Sequence, residues 1–460
     1  MRDPLLVPDL RELIRAGETA ALGEFLADHH PARVAEIIED LGPDEGGAAF
    51  DLLEPRMRAE VMGYLDHEAQ AERVGRMSPE QAAELLHLMS HDERADLVNR
   101  LDDDLVDAIL PRLARAERED IRRLASFEPG TAGAVMTTDY ATLPPQLTVR
   151  EAIDRLRHEA PDRETIYYSY VVAADRRLIG LVSLKNLILA RPRARIEEIL
   201  QRDLVSARVD EDQESVARKI SQYDLIAIPV VDAEGRLVGI VTHDDAMDIL
   251  KREQTEDMLK FGGVAADAEA GAAPYWQGTI ASAVRRRIGW LLFLFFGGTI
   301  TSLVLSRFNW VEDALHNPKI DLDVFIPLLI GTGGNAGSQT VGTIIRGLAL
   351  GEIRRGDAPR VLAREALTGL LLGTLLGALG FLYTHYVLGH PRMFSAVVGL
   401  ATVGICLWAN AVGALIPLLA RKVGVDPALV SAPLISTLVD ATGLIIYYRI
   451  AILLLIRLAH

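Results

Sequence analysis

Between residues 288 and 456 the chain carries five long apolar runs, and few folds accommodate them. In hydrocarbon every backbone N–H and C=O must be paired inside the protein, so each run has to be a helix buried in lipid or among other helices. The first, IGWLLFLFFGGTITSLVLSRF at 288–308, has no charge before Arg307. About 21 residues at 1.5 Å each span roughly 30 Å, the thickness of a bilayer core. Similar runs follow at 324–345, 366–388, 394–420 and 428–456. Five spans put the two termini on opposite sides. Arg285, Arg286 and Arg287 precede the first span, and Arg346, Arg354, Arg355, Arg360, Arg364, Arg421 and Lys422 occupy the loops after spans two and four. The opposite loops hold only Arg307, Lys319 and Arg392. Cytoplasmic loops carry the Lys/Arg excess, so we expect a multi-pass protein of the inner (plasma) membrane with its N-terminus cytoplasmic and its C-terminus outside.

The first 274 residues have the opposite character. Of 48 Lys+Arg and 64 Asp+Glu, 33 and 55 precede Tyr275, leaving 15 and 9 beyond it: −22 against +6. An acidic surface repels phosphates and attracts divalent cations, which disfavours nucleic acid as a partner. Residues 1–26 lack a basic segment followed by an apolar one, so no signal peptide is expected. The single cysteine, Cys406, lies in an apolar run, and an intrachain disulfide is impossible. Up to about residue 130 the chain reads as short amphipathic helices with N-terminal starts at Pro31, Pro43, Ser78-Pro79 and Ser90-His91-Asp92. The loosely similar pieces LGPDEGGAAFDLL, MSPEQAAELLHLM and MSHDERADLVNRL predict an all-α superhelical domain.

From 135 to about 251 there is a duplication: LIGLVSLKNLI, at 178–188, matches LVGIVTHDDAM, at 237–247. Each copy places a β-branched run before a turn, a second strand and a helix, the pattern of a small βαββα module. The motif Gly180, Ser183, Asn186, repeated as Gly239, Thr242, Asp245, resembles a tandem pair of CBS modules. That resemblance implies an adenosine-binding cleft, with Ser183, Thr242 and Asp245 at ATP or another adenine nucleotide. The simpler reading is that Ser183 and Thr242 cap the helices that follow. Two features weaken a symmetric nucleotide site: Lys185 stands where the second copy has Asp244, and Leu225 follows Asp224 where an aromatic ring would stack on adenine.

Within the spans, PLLIGTGGNAGSQTVGTIIRG places Asn335, Ser338, Gln339 and Thr340 mid-membrane, where polar groups need partners. Asn335 and Gln339 share a helix face at i, i+4. Gly331, Gly333, Gly334 and Gly337 permit close backbone approach to a helix or an ion. A phosphate-cradling loop would require the lysine of a P-loop, which is missing. In span three, Gly369, Gly373 and Gly377 look like packing alone. Asp440, in SAPLISTLVDATGLIIYY, is the one carboxylate well inside the apolar windows. Its cost there, about 2.5 to 3.5 kcal/mol, demands water, a cation or a basic partner, and no Lys or Arg lies mid-span. A cation pathway follows directly; a proton relay and a neutral hydrogen-bonded Asp are the competing readings. With only oxygen ligands on offer, a hard cation fits, and Mg²⁺, held through its water shell by one or two carboxylates, suits so sparse a site. Two copies of Asp440 around a twofold pore would double the field.

Taken together, FEPGTAGAVMT at 127–137, the paired modules, PLLIGTGGNAGSQ and PLISTLVDATGLIIYY resemble the MgtE-type magnesium transporter family over nearly the whole chain. The resemblance implies a homodimeric Mg²⁺ channel whose pore lies between subunits, with Asp440 binding the ion and Asn335 and Asn410 pore-side. It also implies that the cytoplasmic domains bind Mg²⁺ and hold the pore shut. Regulatory ligands would then be Asp96, Asp212, Glu214, Asp224, Asp245, Asp248, Glu253, Glu256 and Asp257. The expected fold is a multidomain membrane protein: an all-α superhelix (1–130), an α/β CBS pair (131–195 and 196–258), a connecting plug helix (259–287) and a five-helix all-α transmembrane domain (288–460). No enzymatic residue set is expected. A membrane-anchored adenine-nucleotide sensor and a proton-coupled divalent-cation carrier are the alternative functions.

Overall fold

The computed structural model describes residues 6–160, 164–265, 279–308, 310–311, 321–354 and 356–457, and divides into two compact units, Met1–Glu253 and Gln254–His460. The first begins with helices α1 (Leu6–Ala16), α2 (Thr19–Ala27), α3 (Pro31–Leu41), α4 (Pro43–Asp51), α5 (Pro55–Tyr64), α6 (His67–Arg76), α7 (Pro79–Leu88), α8 (His91–Val98), α9 (Asp103–Ile109) and α10 (Arg115–Ala125). Proline at the first position of α3, α4, α5 and α7 presets helical φ where an N–H would have no partner. Asp66 caps α6, accepting from Ala69 N at 2.8 Å, and Ser78 and Gln81 close a reciprocal box on α7. Every second helix packs on the last, α1, α3, α5, α7, α9 in one row and α6, α8, α10 in another. Leu26, Val34, Ile38, Phe50, Met62 and Leu86 fill the continuous core between the rows.

Two α/β modules follow in the same unit. The first is β1 (Tyr140–Leu143), α11 (Val149–Glu159), β2 (Thr165–Val172), β3 (Leu178–Ser183) and α12 (Leu184–Leu189). After α13 (Ile196–Ile199), the second is β4 (Ala207–Arg208), α14 (Gln213–Gln222), β5 (Ala227–Val231), β6 (Leu237–Thr242) and α15 (His243–Phe261). In each, the first strand pairs parallel and the third antiparallel to the second. The repeat survives in the register: Val171 faces Gly180 as Val230 faces Gly239. A Cβ at Gly180 would meet the Gln201 carbonyl at 2.5 Å, and one at Gly239 the Met136 sulfur at 2.5 Å. The motif glycine is thus where another segment crosses the hairpin. The expected boundary between 258 and 259 falls inside α15, which continues unbroken to Phe261. Of the expected connecting segment, 266–278 lie outside the described residues.

The second unit contains α16 (Ile280–Phe308), α17 (Ile326–Ala349), α18 (Ala358–Leu382), α19 (Arg392–Lys422) and α20 (Ala432–Ala451). A π-helical turn extends α18 to Val387 and another extends α20. Among the described residues four helices are long and apolar enough to cross a bilayer: Ile280–Phe308, Ala358–Val387, Arg392–Lys422 and Ala432–Ile456. The remaining expected span is α17, with 24 residues. Its glycines and amides make it less apolar than the others. It packs on α19 and α20, while α18 packs on α19 and α16 on α20.

Gly369, Gly373 and Gly377 lie along the α18–α19 seam. A Cβ there would meet Cys406 O at 2.7 Å, Val403 Cα at 2.9 Å and Gly399 O at 2.5 Å, so backbone touches backbone. Gly377→Leu is expected to cost about 3 kcal/mol through overpacking, read as a lower melting temperature in detergent. Gly380→Ala, whose Cβ would meet Val398 at an ordinary 3.8 Å, should melt close to wild type.

Candidate functional site

Three glycines of α17 form a notch against α20. A Cβ at Gly334 would lie 2.6 Å from Ser436 Oγ and 3.7 Å from Asp440 Oδ1, and one at Gly337 would lie 2.8 Å from Ile435 and 3.4 Å from Ala409 O. Gly333 is closed off by Ile405 and Val439. Ser436 and Asp440, one helical turn apart on α20, therefore face bare α17 backbone. Asp440 is half-buried, and among the described residues neither a cation nor a hydrogen-bond donor pairs with its carboxylate. A carboxylate so placed keeps its whole field available to an ion approaching from the open side.

From Asn335 to Arg346 the exposed face of α17 is polar. Asn335 and Gln339 are exposed on one face, as their spacing required, and with Ser338, Gly342, Thr343 and Arg346 they line a cavity of about 570 Å³ bounded by Phe261 and Ala432. Ser338 Oγ donates to Ala432 O at 3.2 Å. Asn410 is placed differently from its sequence expectation. It is 2% exposed; Oδ1 accepts from Thr340 Oγ1 at 2.6 Å and Nδ2 donates to Cys406 O at 2.8 Å. Its amide fastens α17 to α19 instead of joining Asn335 on the open face. The signal was in the sequence: Thr340 is another polar mid-span residue that needs a partner.

A second constellation lies in the first unit, where four carboxylates converge and, among the described residues, only Arg94, near Asp92, and His91, near Glu164, oppose their charge. Burial first, then Asp245, Glu93 and Glu164, raises the Asp92 carboxyl above its ordinary range, and its Oδ1 is sealed from solvent with no hydrogen-bond partner. Burial and the Asp245, Glu164 and Asp244 charges push Glu93 up to about 7 against a hydrogen bond from Ser90. Burial with Asp245, Asp244 and Asp139 carries Glu164 to about 7 as well. Asp245 rises to about 6 through burial and the Asp244 and Asp248 charges, against the hydrogen bond from Thr242. Glu93 and Glu164 are nonetheless exposed at the surface, crowded by neighbouring atoms but still reached by water, which screens the repulsion between them. Among the described residues no three Asp, Glu, His or Cys side chains stand in a closed coordination geometry. The group gathers four carboxyls whose charged forms repel one another.

Other expected regulatory ligands have protein partners. Asp96 pairs with Arg100 at 3.2 Å with Arg252 nearby, and the same two arginines, after burial, depress His67 to about 4. Glu214 pairs with Arg218, Asp212 caps α14 by accepting from Ser215 N at 3.0 Å, Glu253 accepts from Gln213 at 2.7 Å, and Glu256 holds Lys260 at 2.6 Å. Asp224, at φ +50°, and Asp248 are exposed; Asp257 is half-buried, with interactions of its own. Ser183 caps α12 through Asn186 N at 3.1 Å, and Thr242 donates to Asp245, so all three nucleotide candidates are engaged in local turns. Asp92, Glu93 and Glu164 lie outside the ligand set expected from the sequence, because the group forms only when residues from the N-terminal helices and both modules come together.

Residues 326–450 match the divalent cation transporter family MgtE, 29–130 the MgtE intracellular N domain, and 132–193 and 196–252 the CBS domain. A magnesium transporter of Thermus thermophilus is 42% identical over 98% of both chains, and one of Bacillus subtilis 30% identical over 90% of this chain and 92% of that one. The chain belongs to the MgtE family. The solved cytosolic domain of an MgtE Mg²⁺ channel in complex with ATP is similar at a TM-score of 0.51 and 39% identity, covering 53% of this chain and 99% of that one. In MgtE terms the acidic constellation takes Asp92 and Glu93 from the N domain, Glu164 from the first CBS domain and Asp245 from the second. Asp440 lies in the MgtE transporter domain proper.

Proposed function

We propose that the chain is a Mg²⁺ channel for uptake across the plasma membrane, with α16 to α20 as five spans, the N-terminus cytoplasmic and the C-terminus outside. The pore lies between two copies, so that two Asp440 carboxylates and the Asn335–Gln339 faces line one pathway. The observation that carries this reading is the half-buried Asp440 carboxylate, set on a glycine-backed notch and without a partner among the described residues. Mg²⁺ at the Asp92–Glu93–Glu164–Asp245 group favours the compact cytoplasmic state and so the shut pore, with Asp248, Asp224, Asp257 and the ion-paired carboxylates contributing as ligands when partners exchange. Adenine nucleotide at the CBS pair is a second regulatory input, supported by the ATP complex of the related cytosolic domain. Mg²⁺ is cargo and effector, and no catalytic role is assigned to any residue.

The purified full chain in liposomes should conduct Mg²⁺ down its gradient, and Mg²⁺ on the face carrying the N-terminal domains should stop the flux. Detergent-solubilised protein should have about twice the 50.3 kDa chain mass. Absence of Mg²⁺ flux, or flux only in exchange for protons, would replace the channel with the nucleotide-sensor or carrier reading.

A further inference from the structure

The end of α15, from Gln254 onward, belongs to the membrane unit and is attached there at three points. Lys260 Nζ lies 2.7 Å from Asp426 Oδ2 and 2.6 Å from Glu256 Oε1. Phe261 sits over Gly342, where a Cβ would come within 3.2 Å of the ring. Gly263, at φ +71°, lies against Trp290, whose Nε1 donates to Ser431 Oγ at 3.1 Å. The second point rests on α17, and the first and third lead to the start of α20. Asp426 Oδ1 also accepts from Ala428 N at 2.9 Å, holding the turn Pro427–Leu429, and Ser431 caps α20 through Leu434 N at 3.3 Å. Asp440 follows eight residues after the start of α20, roughly 12 Å along the axis.

Glu256 is one of the carboxylates expected to bind regulatory Mg²⁺, yet in this structure its charge is met by an ammonium of the same helix. We infer that Lys260 is a tethered cation that fastens α15 to the Asp426 turn without metal, and so sets how much Mg²⁺ is needed to close the pore. Lys260 is a positioning residue: it touches no transported ion, and it acts through the turn that starts α20. Its side chain is 21% exposed, and burial acts against its charge while the two carboxylates sustain it. The two carboxylates divide naturally. Asp426 belongs to the membrane unit's own turn, whereas Glu256 rides on α15, so the ammonium welds one to the other. With Lys260 in place part of the ordering is present before any Mg²⁺ arrives, and the effector has less to supply.

This inference rests on Mg²⁺-dependent closure and deepens it. The experiment is Mg²⁺ flux from full-length protein in liposomes against Mg²⁺ on the cytoplasmic-domain face, for wild type, Lys260→Met, Asp426→Asn and the exchange Lys260→Asp with Asp426→Lys. Lys260→Met and Asp426→Asn should leave flux at zero effector Mg²⁺ at or above wild type and raise the half-closing concentration about three- to tenfold, in the range of a partly shielded ion pair. The exchange should return it to within about twofold of wild type, an outcome that a merely misfolded variant cannot give. Wild-type half-closing concentrations in both single variants, or an exchange no better than the singles, overturn the latch while leaving the channel reading standing. A wild type that conducts but never closes overturns both the latch and the regulatory reading.

Discussion

Asp440→Asn is expected to abolish Mg²⁺ flux while leaving a protein that folds at least as well as wild type. The substitution conserves volume and removes one charge. Two opposite charges 4 Å apart interact by about 4 kcal/mol at an effective dielectric of about 20, so a drop of roughly a hundredfold or more is expected. The same change removes the cost of holding a carboxylate in the membrane, about 2.5 to 3.5 kcal/mol at the bilayer centre, so the melting temperature should hold or rise. Loss of flux with gain of stability is the signature of a residue kept for its work rather than for the fold. Asp440→Glu, which keeps the charge but must crowd the Gly334 notch, should retain partial flux. Undiminished transport by the Asn variant would sink the pore assignment.

The second large effect is expected in the cytoplasmic half. Glu93, Glu164 and Asp245 have folded-state values near 7, 7 and 6, above their ordinary 4.5, 4.5 and 3.8. The folded state therefore binds more protons than the unfolded one between about pH 4 and 7, and without metal its stability falls as pH rises through that window. Mg²⁺ must displace those protons at pH 6 but not at pH 8. For the full chain, the Mg²⁺ concentration giving half-maximal protection of the cytoplasmic half from protease should drop about ten- to a hundredfold from pH 6 to pH 8. Asp92→Asn with Asp245→Asn should raise metal-free stability, flatten the pH dependence and leave flux insensitive to internal Mg²⁺. A Mg²⁺ requirement unchanged between the two pH values would remove the constellation as the sensor.

Local chemistry was the legible part of this protein. Proline starts, the Ser78-Pro79 helix start and the 59-residue repeat of Gly180 in Gly239 are short-range signals, and each appears where its spacing puts it. The face shared by Asn335 and Gln339 follows from helical periodicity alone. Asn410 shows where that reading stops: whether a mid-span amide meets an ion or a neighbour depends on which helix lies beside it, and only packing placed Thr340 there. The acidic group shows the same limit in the soluble part. Carboxylate-rich strings abound in the first 253 residues, and several, Asp96 and Glu214 among them, find an arginine one turn away. Asp92, Glu93, Glu164 and Asp245 do not, and nothing in one dimension separates them from Asp96 or Glu214. Likewise, the boundary expected between 258 and 259 falls within one helix. The helix runs on because no Gly or Pro interrupts it before Gly262.

The glycine seam between α18 and α19 has a mechanical consequence. With carbonyls of one helix resting against the Cα atoms of the other, there is no side-chain layer to shear, and a slide of even one ångström drives main chain into main chain. That hairpin is a stator. In the proposed channel, widening that admits an ion would be taken up at joints other than this seam, so a strut glued across the seam would go unnoticed.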